Sequence, residues 1–429
     1  MNFSRETEAP NDEQVPRRAG NPQIALPQET LLRRAILVVA IGLSAMLGYF
    51  TTYVLQLLML AVAALFLVRR DRTAIPFDLP AKLFFTSFCL LFVPALVTAR
   101  QPSDLLQTLN FASMLLYAPL ALMFGRAAHK RNSRKIADFA LAGAAGALLL
   151  SLWFTYVEQL PRAGLGSFFT DPIRLSNTAL IIGFFAMIGA VAADGYQRFV
   201  YFIGPVLALA VIFASGSRAA LIAFGVLLFV AALLLVKRKR FAALVSIGLL
   251  AGFALMGYVT DVAGLRSSTL FEILGRLASG DDPADLGTAI RFILYHAGFA
   301  AFLDAPLFGH GWGRLMSSIT PYLAPSDLVH AQLPHLHNDA LNFGVASGGF
   351  GLAVYVLLLA LPVVSCLTSP RDSQYRTRVY GGALLAISYF VLGLPDTMLS
   401  FPLHNTLYVV MTAMLLNYCR DPEQVAPAA

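Results

Sequence analysis

Residues 341–366 read LNFGVASGGFGLAVYVLLLALPVVSC, an uncharged run that is long enough to cross a lipid bilayer as one helix. A membrane-spanning helix needs about 20 mostly apolar residues. Similar runs recur along the chain, of which 58% of residues are hydrophobic and 13% are charged. The mean hydropathy of +0.69 also lies above the range of soluble domains. The sequence therefore predicts an all-α polytopic membrane protein.

The sequence predicts about twelve transmembrane helices, or about eleven if the first two, which are poorly separated around Gly48, form one. The predicted spans lie near residues 35–50, 51–68, 81–98, 108–125, 136–157, 175–194, 199–215, 219–236, 241–258, 341–366, 379–395 and 402–418. They divide the chain into a disordered cytoplasmic tail (1–33), a first helical block (34–258), one large periplasmic loop with short helices (259–340), a second helical block (341–418) and a cytoplasmic C-terminal tail (419–429).

The positions of lysine and arginine predict the orientation, because cationic loops are retained in the cytoplasm. If the spans alternate, the basic clusters fall on one side together with both termini; they include Arg33, Arg34, Arg126, Lys130, Arg131, Lys135, residues 237–240, Arg371 and Arg378. These retention charges and anionic lipid headgroups account for the net charge of +7. The charge therefore does not indicate a nucleic-acid partner.

The opposite, outer face carries arginine and no lysine: Arg100, Arg162, Arg174, Arg218, Arg266, Arg276, Arg291 and Arg314. Arginine presents a planar fork of donors that suits phosphate, whereas lysine is a point charge. The pattern favours phosphate recognition. The alternative is that a chain with few lysines simply prefers arginine.

The loop 259–340 is far longer than the other connections, and such loops are usually functional. We predict a helix over residues 289–303, capped by Gly287 or Thr288 and too short to span the membrane comfortably. It is interpreted as an interfacial or partly re-entrant helix. The glycine-rich turn at 306–313, which bears Trp312, suits the headgroup level.

The turn SGSR at 215–218 joins two spans almost without a loop. Gly216 is suited to end the first helix and Ser217 to cap the second, which leaves backbone N–H groups beside the Arg218 guanidinium. A helix N-terminus beside a guanidinium is a candidate anion site. The alternative is an arginine that snorkels at the membrane edge.

Arg291 lies in an otherwise nearly uncharged helix. A cation in apolar surroundings costs about 2.5–3.5 kcal/mol on insertion scales, so it usually has a partner or a task. A structural ion pair with Asp281, Asp282 or Asp285 is the competing interpretation.

His337 lies just before the span that begins near residue 340, for which Asn338 or Asp339 is a natural N-cap. The positive end of a helix disfavours imidazolium, so His337 is predicted to be a neutral imidazole that accepts a proton. The alternative is an ordinary hydrogen-bonded surface histidine. His335 is two residues away and cannot share a helix face with it, so the two would chelate poorly.

A metal site is the other chemistry that this loop offers. The aspartates at 281, 282 and 285 and the histidines at 310, 335 and 337 have no recognised ligand spacing. No metal is therefore predicted. Gly344, Ser347, Gly348 and Gly351 are small residues four apart, a spacing that lets transmembrane helices approach closely and hold His337 in place.

Three motifs together resemble a known family. SGSRA at 215–219, Arg291 followed by PLFGHGW at 306–312, and HLHNDAL at 335–341 before a glycine-bearing helix are similar to the pattern of the O-antigen ligase/polymerase superfamily, and most similar to the WaaL-type O-antigen ligases. The span architecture matches over nearly the whole chain, while the motifs themselves are short.

The resemblance implies a GT-C-like glycosyltransferase of the bacterial inner membrane with its active site on the periplasmic face. It implies transfer of O-antigen from undecaprenyl pyrophosphate to lipid A-core, in lipopolysaccharide biosynthesis, without metal, nucleotide or other cofactor. His337 would be the catalytic base, Arg218 and Arg291 would bind the pyrophosphate, and the further substrate-binding residues would be Ser217, His335 and Asn338.

Two alternatives stay open. An O-antigen polymerase would add repeat units on the lipid carrier, and the sequence discriminates poorly between it and a ligase. A polyprenyl-lipid transporter would need polar residues along a path through the membrane. The predicted spans carry few of these, among them Gln56, Asn110 and Asn177.

Overall fold

The computed structural model describes residues 27–68, 77–235 and 286–425, together with Gly248, Gly252 and Ser279. All regular structure in this part of the chain is helical. Ten of its helices are long and apolar enough to cross a membrane. The predicted fold class, an all-α polytopic membrane protein, is therefore confirmed.

Twelve long helices are numbered here in chain order. They are α1 Pro27–Leu47, α2 Phe50–Val68, α3 Leu79–Thr98, α4 Pro102–Arg126, α5 Asn132–Tyr156, α6 Pro172–Ala192, α7 Gly195–Ser215, α8 Arg218–Leu235, α9 Leu286–Asp304, α10 Asp339–Leu367, α11 Tyr375–Gly393, and α12 Pro402–Ala413 with its continuation Met414–Tyr418. Short 3₁₀ turns, Trp312–Arg314, Ser317–Tyr322 and Pro325–Gln332, lie between α9 and α10.

The first two helices are separate. Gly48 has φ 52°, and a Cβ at this position would lie 1.9 Å from the carbonyl oxygen of Phe169, so only glycine fits the break between α1 and α2. Helix α1 begins at Pro27, so the prediction of a disordered tail was wrong for residues 27–33. Its apolar side packs in the bundle, where Ile36 and Leu37 are buried. The rest of the predicted tail (1–26), the 237–240 cluster and most of the predicted span near 241–258 lie outside the described residues.

Helices α4 and α12 run in the same direction and so define two ends of the bundle. The Ser113 hydroxyl donates to Asn405 nearer their starts, and the Asn417 amide donates to the Tyr117 hydroxyl nearer their ends. The end at which α4 and α12 start also holds residues 335–337 and is called the histidine end. Of the cations predicted to be cytoplasmic, those within the described residues lie at the opposite end; two of their ion pairs are Arg126–Glu29 at 3.1 Å and Arg378–Asp372 at 2.8 Å.

Helix α9 is longer than the sequence predicted. It covers Leu286–Asp304, 19 residues, so Gly287 and Thr288 lie inside it rather than cap it. A glycine in a helix costs only about 1 kcal/mol, which the following apolar turns offset. The estimate of about fifteen residues was therefore wrong, and the helix is long enough to span by length and composition.

Helix α10 is not one straight span over 341–366. Gly348 has φ 60° and ψ −144°, which breaks the helix. The rings of Phe343 and Tyr355 lie 5.8 Å apart, whereas residues twelve apart in a continuous helix are separated by about 18 Å. A Cβ on Gly351 would lie 2.0 Å from the Phe343 carbonyl oxygen. The α10 arm, residues 339–347, therefore folds back against the rest of the helix.

A loop approaches α10 at Ser347 and Gly348, whereas Gly344 faces Phe302 of helix α9. The backbone N–H of His310 donates to the Val345 carbonyl at 2.8 Å. A Cβ on Gly348 would lie 2.4 Å from the carbonyl atoms of Leu307. The glycines thus let residues 306–311 enter the break in α10, which fixes the arm that follows His337.

Candidate active site

The start of α10 is pinned to the junction between α11 and α12. Asn338 is its N-cap: Oδ1 accepts the Leu341 N–H at 2.9 Å, as the sequence predicted. Asp339 is fully buried and accepts backbone N–H groups of the next junction, among them that of Leu399 at 2.7 Å. His337 therefore lies where the α10 arm begins and faces residues 394–400.

The backbone at His337 turns its ring back onto His335. His337 has φ 52°, a conformation that costs a non-glycine residue about 1–2 kcal/mol. Its carbonyl accepts a hydrogen bond from the Tyr295 hydroxyl at 2.9 Å. The two imidazole rings lie 4.3 Å apart at 77°. The sequence argument considered a helix, in which residues two apart diverge, and so did not predict this contact.

The turn places His337 beside a carboxylate that sequence reasoning missed. His337 Nδ1 lies 3.4 Å from Asp396 Oδ1, and the Asp396 side chain is 1% exposed. Burial alone would raise the pKa of this carboxyl, but the Arg174 guanidinium and the hydrogen bond from His337 hold its pKa below the usual range. An ionised Asp396 accepts from Nδ1–H, which leaves Nε2 of His337 as the proton acceptor.

Arg174 holds this carboxylate from inside the bundle. It is 4% exposed, and its Nη1 donates to Asp396 Oδ2 at 2.8 Å and to the Thr397 carbonyl at 2.6 Å. Its Nη2 donates to Thr397 Oγ1 at 2.7 Å. The guanidinium lies 4.0 Å from the centre of the Phe401 ring, a cation–π contact.

Arg174 also determines the state of His335. Its Nη2 lies 3.3 Å from His335 Nε2, and a guanidinium donates only, so Nε2 accepts and the ring proton is on Nδ1. The longer 3.4 Å approach of the His337 N–H to Nδ1 is then a contact between two donors rather than a hydrogen bond. Burial, with His337 and Arg174 nearby, lowers the pKa of His335 to about 3. His335 is neutral at physiological pH.

One ligand atom from each of His335, His337 and Asp396 lies within 4.8 Å of the others, a spacing that could hold a metal ion. The Arg174 guanidinium already contacts two of the three. A cation would therefore have to displace it against electrostatic repulsion.

Arg291 and Asn338 lie beside this cluster. Arg291 Nε donates to the Pro395 carbonyl at 3.0 Å, and Nη1 donates to the Gly287 carbonyl at 2.9 Å. Asn338 Nδ2 donates to the Leu394 carbonyl at 2.9 Å. Both residues thus contact the segment that carries Asp396. The aspartates at 281, 282 and 285, the competing partners of Arg291, lie outside the described residues.

Ser217 and Arg218 lie at another helix junction. Gly216, with φ 64°, ends α7, and Ser217 Oγ accepts the Ala220 N–H at 3.4 Å, as predicted for a cap. Arg162, which the sequence placed only among the outer arginines, donates from Nε to the Ser215 carbonyl at 2.7 Å.

The segment after Arg162 links this junction to the histidine cluster. The Ala163 N–H donates to the Ala214 carbonyl of α7 at 2.9 Å. Asp171 then caps α6 and lies 3.8 Å from Arg174 Nε. The structure thus brings Arg291, Asn338 and the two histidines together, and places Ser217 and Arg218 one loop away at the same end.

Arg314, His310 and His404, for which no function was predicted, make contacts within the helical bundle and its loops. Arg314 Nη2 donates to the Thr98 carbonyl at 2.8 Å, and His310 Nε2 lies 2.8 Å from the Ala301 carbonyl oxygen. His404 is fully buried, 3.3 Å from Thr178 Oγ1. Arg266 and Arg276 lie outside the described residues.

The fold and the site together define a polytopic membrane protein with a histidine–carboxylate pair at one end of its helical bundle. Residues 203–356, which include Arg218, Arg291 and His337, match the family model described as O-antigen ligase (Wzy_C). The match supports membership of the O-antigen ligase superfamily, as the motifs indicated. A search among curated proteins finds no match.

Proposed function

We propose that the protein is an O-antigen ligase, an inverting and metal-independent glycosyltransferase that moves O-antigen from undecaprenyl pyrophosphate to lipid A-core. The family match supports a lipid-linked glycan enzyme of the ligase or polymerase type. The observation that carries the proposal is the His337–Asp396 pair, because it orients the imidazole with Nε2 as the proton acceptor.

The reaction needs one base and one leaving-group site. His337 Nε2 takes the proton of the acceptor hydroxyl while that oxygen attacks the anomeric carbon of the donor glycan. The bond from this carbon to the pyrophosphate oxygen breaks, and undecaprenyl pyrophosphate leaves with the electron pair. Asp396 stabilises the imidazolium that forms, as carboxylates do in catalytic triads. A single displacement gives inversion at the anomeric carbon.

Arginines are suited to the charge that develops on the leaving pyrophosphate. Arg291 contacts the segment that carries Asp396, with its guanidinium fixed by two carbonyls. Arg218 lies at the start of α8, where a helix N-terminus also favours an anion. We propose both as pyrophosphate ligands. Ser217, His335 and Asn338 are proposed to line the substrate-binding site. The hydrogen bonds given above hold each of these three side chains in one orientation.

The charge distribution supports a periplasmic location of the histidine end in the bacterial inner membrane. The basic clusters that the structure describes lie at the opposite end of the bundle, which the positive-inside rule assigns to the cytoplasm. The contacts of Arg291 with Pro395, and of Arg314 with Thr98, place the segments around α9 at the histidine end. These contacts support the proposal that α9 is interfacial.

The test is transfer by the purified protein, supplied with the lipid-linked donor and lipid A-core. We expect the wild-type protein to transfer glycan to the core and His337→Ala to transfer none. His296, an exposed histidine on α9, provides the control His296→Ala, which keeps activity. Normal ligation by a folded His337→Ala protein would remove His337 as the base.

The same assay separates the alternatives. Chain growth on the carrier, with no transfer to the core, would indicate an O-antigen polymerase. Flux of lipid-linked sugar across vesicles that survives His337→Ala would indicate a transporter.

A further inference from the structure

One buried guanidinium contacts both Asp396 and His335, the two side chains that lie against the His337 ring. Arg174 reaches the carboxylate of Asp396, the ring of His335 and, through two nitrogens, the carbonyl and hydroxyl of Thr397. These partners come from the turn before α10 and from the junction between α11 and α12, while Arg174 itself lies in the first turn of α6. A single side chain therefore fixes three segments relative to one another.

The chemistry of arginine determines which partner donates and which accepts in these hydrogen bonds. A guanidinium stays protonated and offers hydrogen-bond donors in a rigid plane. Asp396 and His335 must therefore both act as acceptors. Asp396 is thereby held as an ionised acceptor for His337 Nδ1–H. His335 is held with Nε2 facing Arg174, so its lone pair is occupied and it cannot compete with His337 as a base.

Arg174 is itself held in one orientation. Asp171 caps α6 by accepting the Arg174 N–H at 3.0 Å, and its carboxylate lies 3.8 Å from Arg174 Nε. The Phe401 ring covers one face of the guanidinium. Its position inside the bundle and its saturated contacts make it a residue that acts through its neighbours.

We infer that Arg174 is a positioning residue for glycan transfer: its contacts with Asp396, Thr397 and His335 direct His337 Nε2 towards the acceptor hydroxyl. The inference rests on the proposed function and extends it to a residue outside the matched segment 203–356.

The chain contains a matched control for the loss of a buried ion pair. Arg378 is fully buried and bonds Asp372 at 2.8 Å at the opposite end of the bundle. Arg378→Lys changes a buried arginine–aspartate pair without touching the histidine cluster. It separates a general effect on folding from an effect on the reaction.

The first experiment measures kcat and the KM for the donor in Arg174→Lys. Lysine keeps the charge but not the fork, so it cannot hold all the partners at once. We expect kcat to fall about 10- to 100-fold, within the range of general-base effects, while the donor KM changes less than about twofold. Arg378→Lys should keep its kcat. A tenfold rise in KM at normal kcat would show that Arg174 contacts substrate, and would overturn the inference.

The second experiment tests whether Arg174 acts through Asp396. Arg174→Gln with Asp396→Asn removes both buried charges together, which avoids leaving one unpaired. We expect the double variant to have the same kcat as Asp396→Asn alone, within about threefold, since residues that act as a unit are not additive. A further large loss in the double variant would overturn the inference. This comparison also decides the case if Arg174→Lys does not fold.

The pH dependence is a readout that a merely structural role would not change. The charged and titratable groups around Asp396 are Arg174 from α6, His335 and His337 from the turn before α10, Arg291 and Tyr295 from α9, Tyr49 between α1 and α2, and His404 from α12. When the positive charge at position 174 is removed, burial is less opposed and the pKa of Asp396 rises. In Arg174→Gln, which removes this charge, the loss of kcat should therefore be larger at about pH 6 than at about pH 8. A loss equal at both pH values would count against the inference.

His337→Ala in the same series distinguishes a failure of the inference about Arg174 from a failure of the proposed mechanism. If it is inactive while Arg174→Lys behaves like the wild-type protein, the inference about Arg174 fails alone. If it retains full activity, the proposed mechanism fails.

Discussion

His337 Nδ1 lies 3.4 Å from Asp396 Oδ1, although the two residues are 59 positions apart in the chain. The contact joins the turn before α10 to the junction between α11 and α12. Because Asp396 is buried and ionised, it fixes which nitrogen of His337 carries the proton. The orientation of the proposed base therefore depends on a residue from another helix junction.

Replacement of Asp396 by asparagine tests this dependence. Asparagine keeps the shape but can present its amide to Nδ1, which favours the wrong tautomer; a comparable change in a serine protease costs about 10⁴-fold in kcat. We expect Asp396→Asn to lose ligation by about 10³- to 10⁴-fold while binding of the lipid-linked donor is kept. Asp304→Asn, which alters an exposed aspartate at the end of α9, should retain wild-type kcat. Near-normal turnover by Asp396→Asn would show that His337 does not need this partner.

His337 and Arg291 become candidates from the sequence because each departs from its local surroundings: an imidazole before a helix start, and a cation in an apolar helix. Asp396 gave a weaker signal. It follows Pro395 in a short junction, where an aspartate is common in any turn. Arg174 was visible only as one of several outer arginines. Their roles depend on which junctions meet in space, and apolar periodicity does not encode that.

The same limit applies to the fold. Hydropathy predicts that residues 341–366 are helical and apolar, which they are, but not that the chain reverses within them. The reversal depends on Gly348 and on a loop about forty residues earlier that fills the break. Small residues four apart predicted a close approach, without indicating whether a helix or a loop would approach.

The stability of the protein should depend on the pH through His335. Its pKa in the folded protein is about 3, against an ordinary value of about 6.5. Above pH 6.5 the ring is neutral in both states and its contribution to stability is complete. Between about pH 6.5 and 3 the unfolded chain binds a proton that the folded protein does not, so the free energy of unfolding falls as the pH is lowered.

We therefore expect the wild-type protein in detergent to lose more of its thermal stability between about pH 7.5 and pH 5 than His335→Gln loses. The comparison is between the two pH slopes, because the substitution also changes stability at neutral pH. His129 is an exposed histidine at the opposite end, and His129→Gln should keep the wild-type slope. Equal slopes for all three proteins would contradict the prediction.

The break in α10 can be tested with two neighbouring glycines. A Cβ at Gly348 would lie 2.4 Å from the Leu307 carbonyl and would need φ 60°, whereas at Gly349 the nearest atom, the Pro306 oxygen, is 3.5 Å away. We expect Gly348→Ala to reduce the free energy of unfolding by about 2 kcal/mol or more. Gly349→Ala should change it by less than about 1 kcal/mol. Thermal unfolding in detergent measures both, and equal stability of the two variants would exclude the fold-back of the arm.

Arg291 is proposed to bind the pyrophosphate of the donor, and its substitution tests this role. Two carbonyls, those of Pro395 and Gly287, hold its guanidinium beside the Asp396 segment. Lysine keeps the charge but loses the fork that binds a phosphate group in two places. We expect Arg291→Lys to raise the donor KM about tenfold and to weaken inhibition by inorganic pyrophosphate by a similar factor, since both depend on the same contact. Arg100→Lys, a change to an exposed arginine before α4, should alter neither quantity. If Arg291→Lys instead lowered kcat and left both unchanged, Arg291 would be acting through residues 394–396 on the histidine–carboxylate pair rather than on the leaving group.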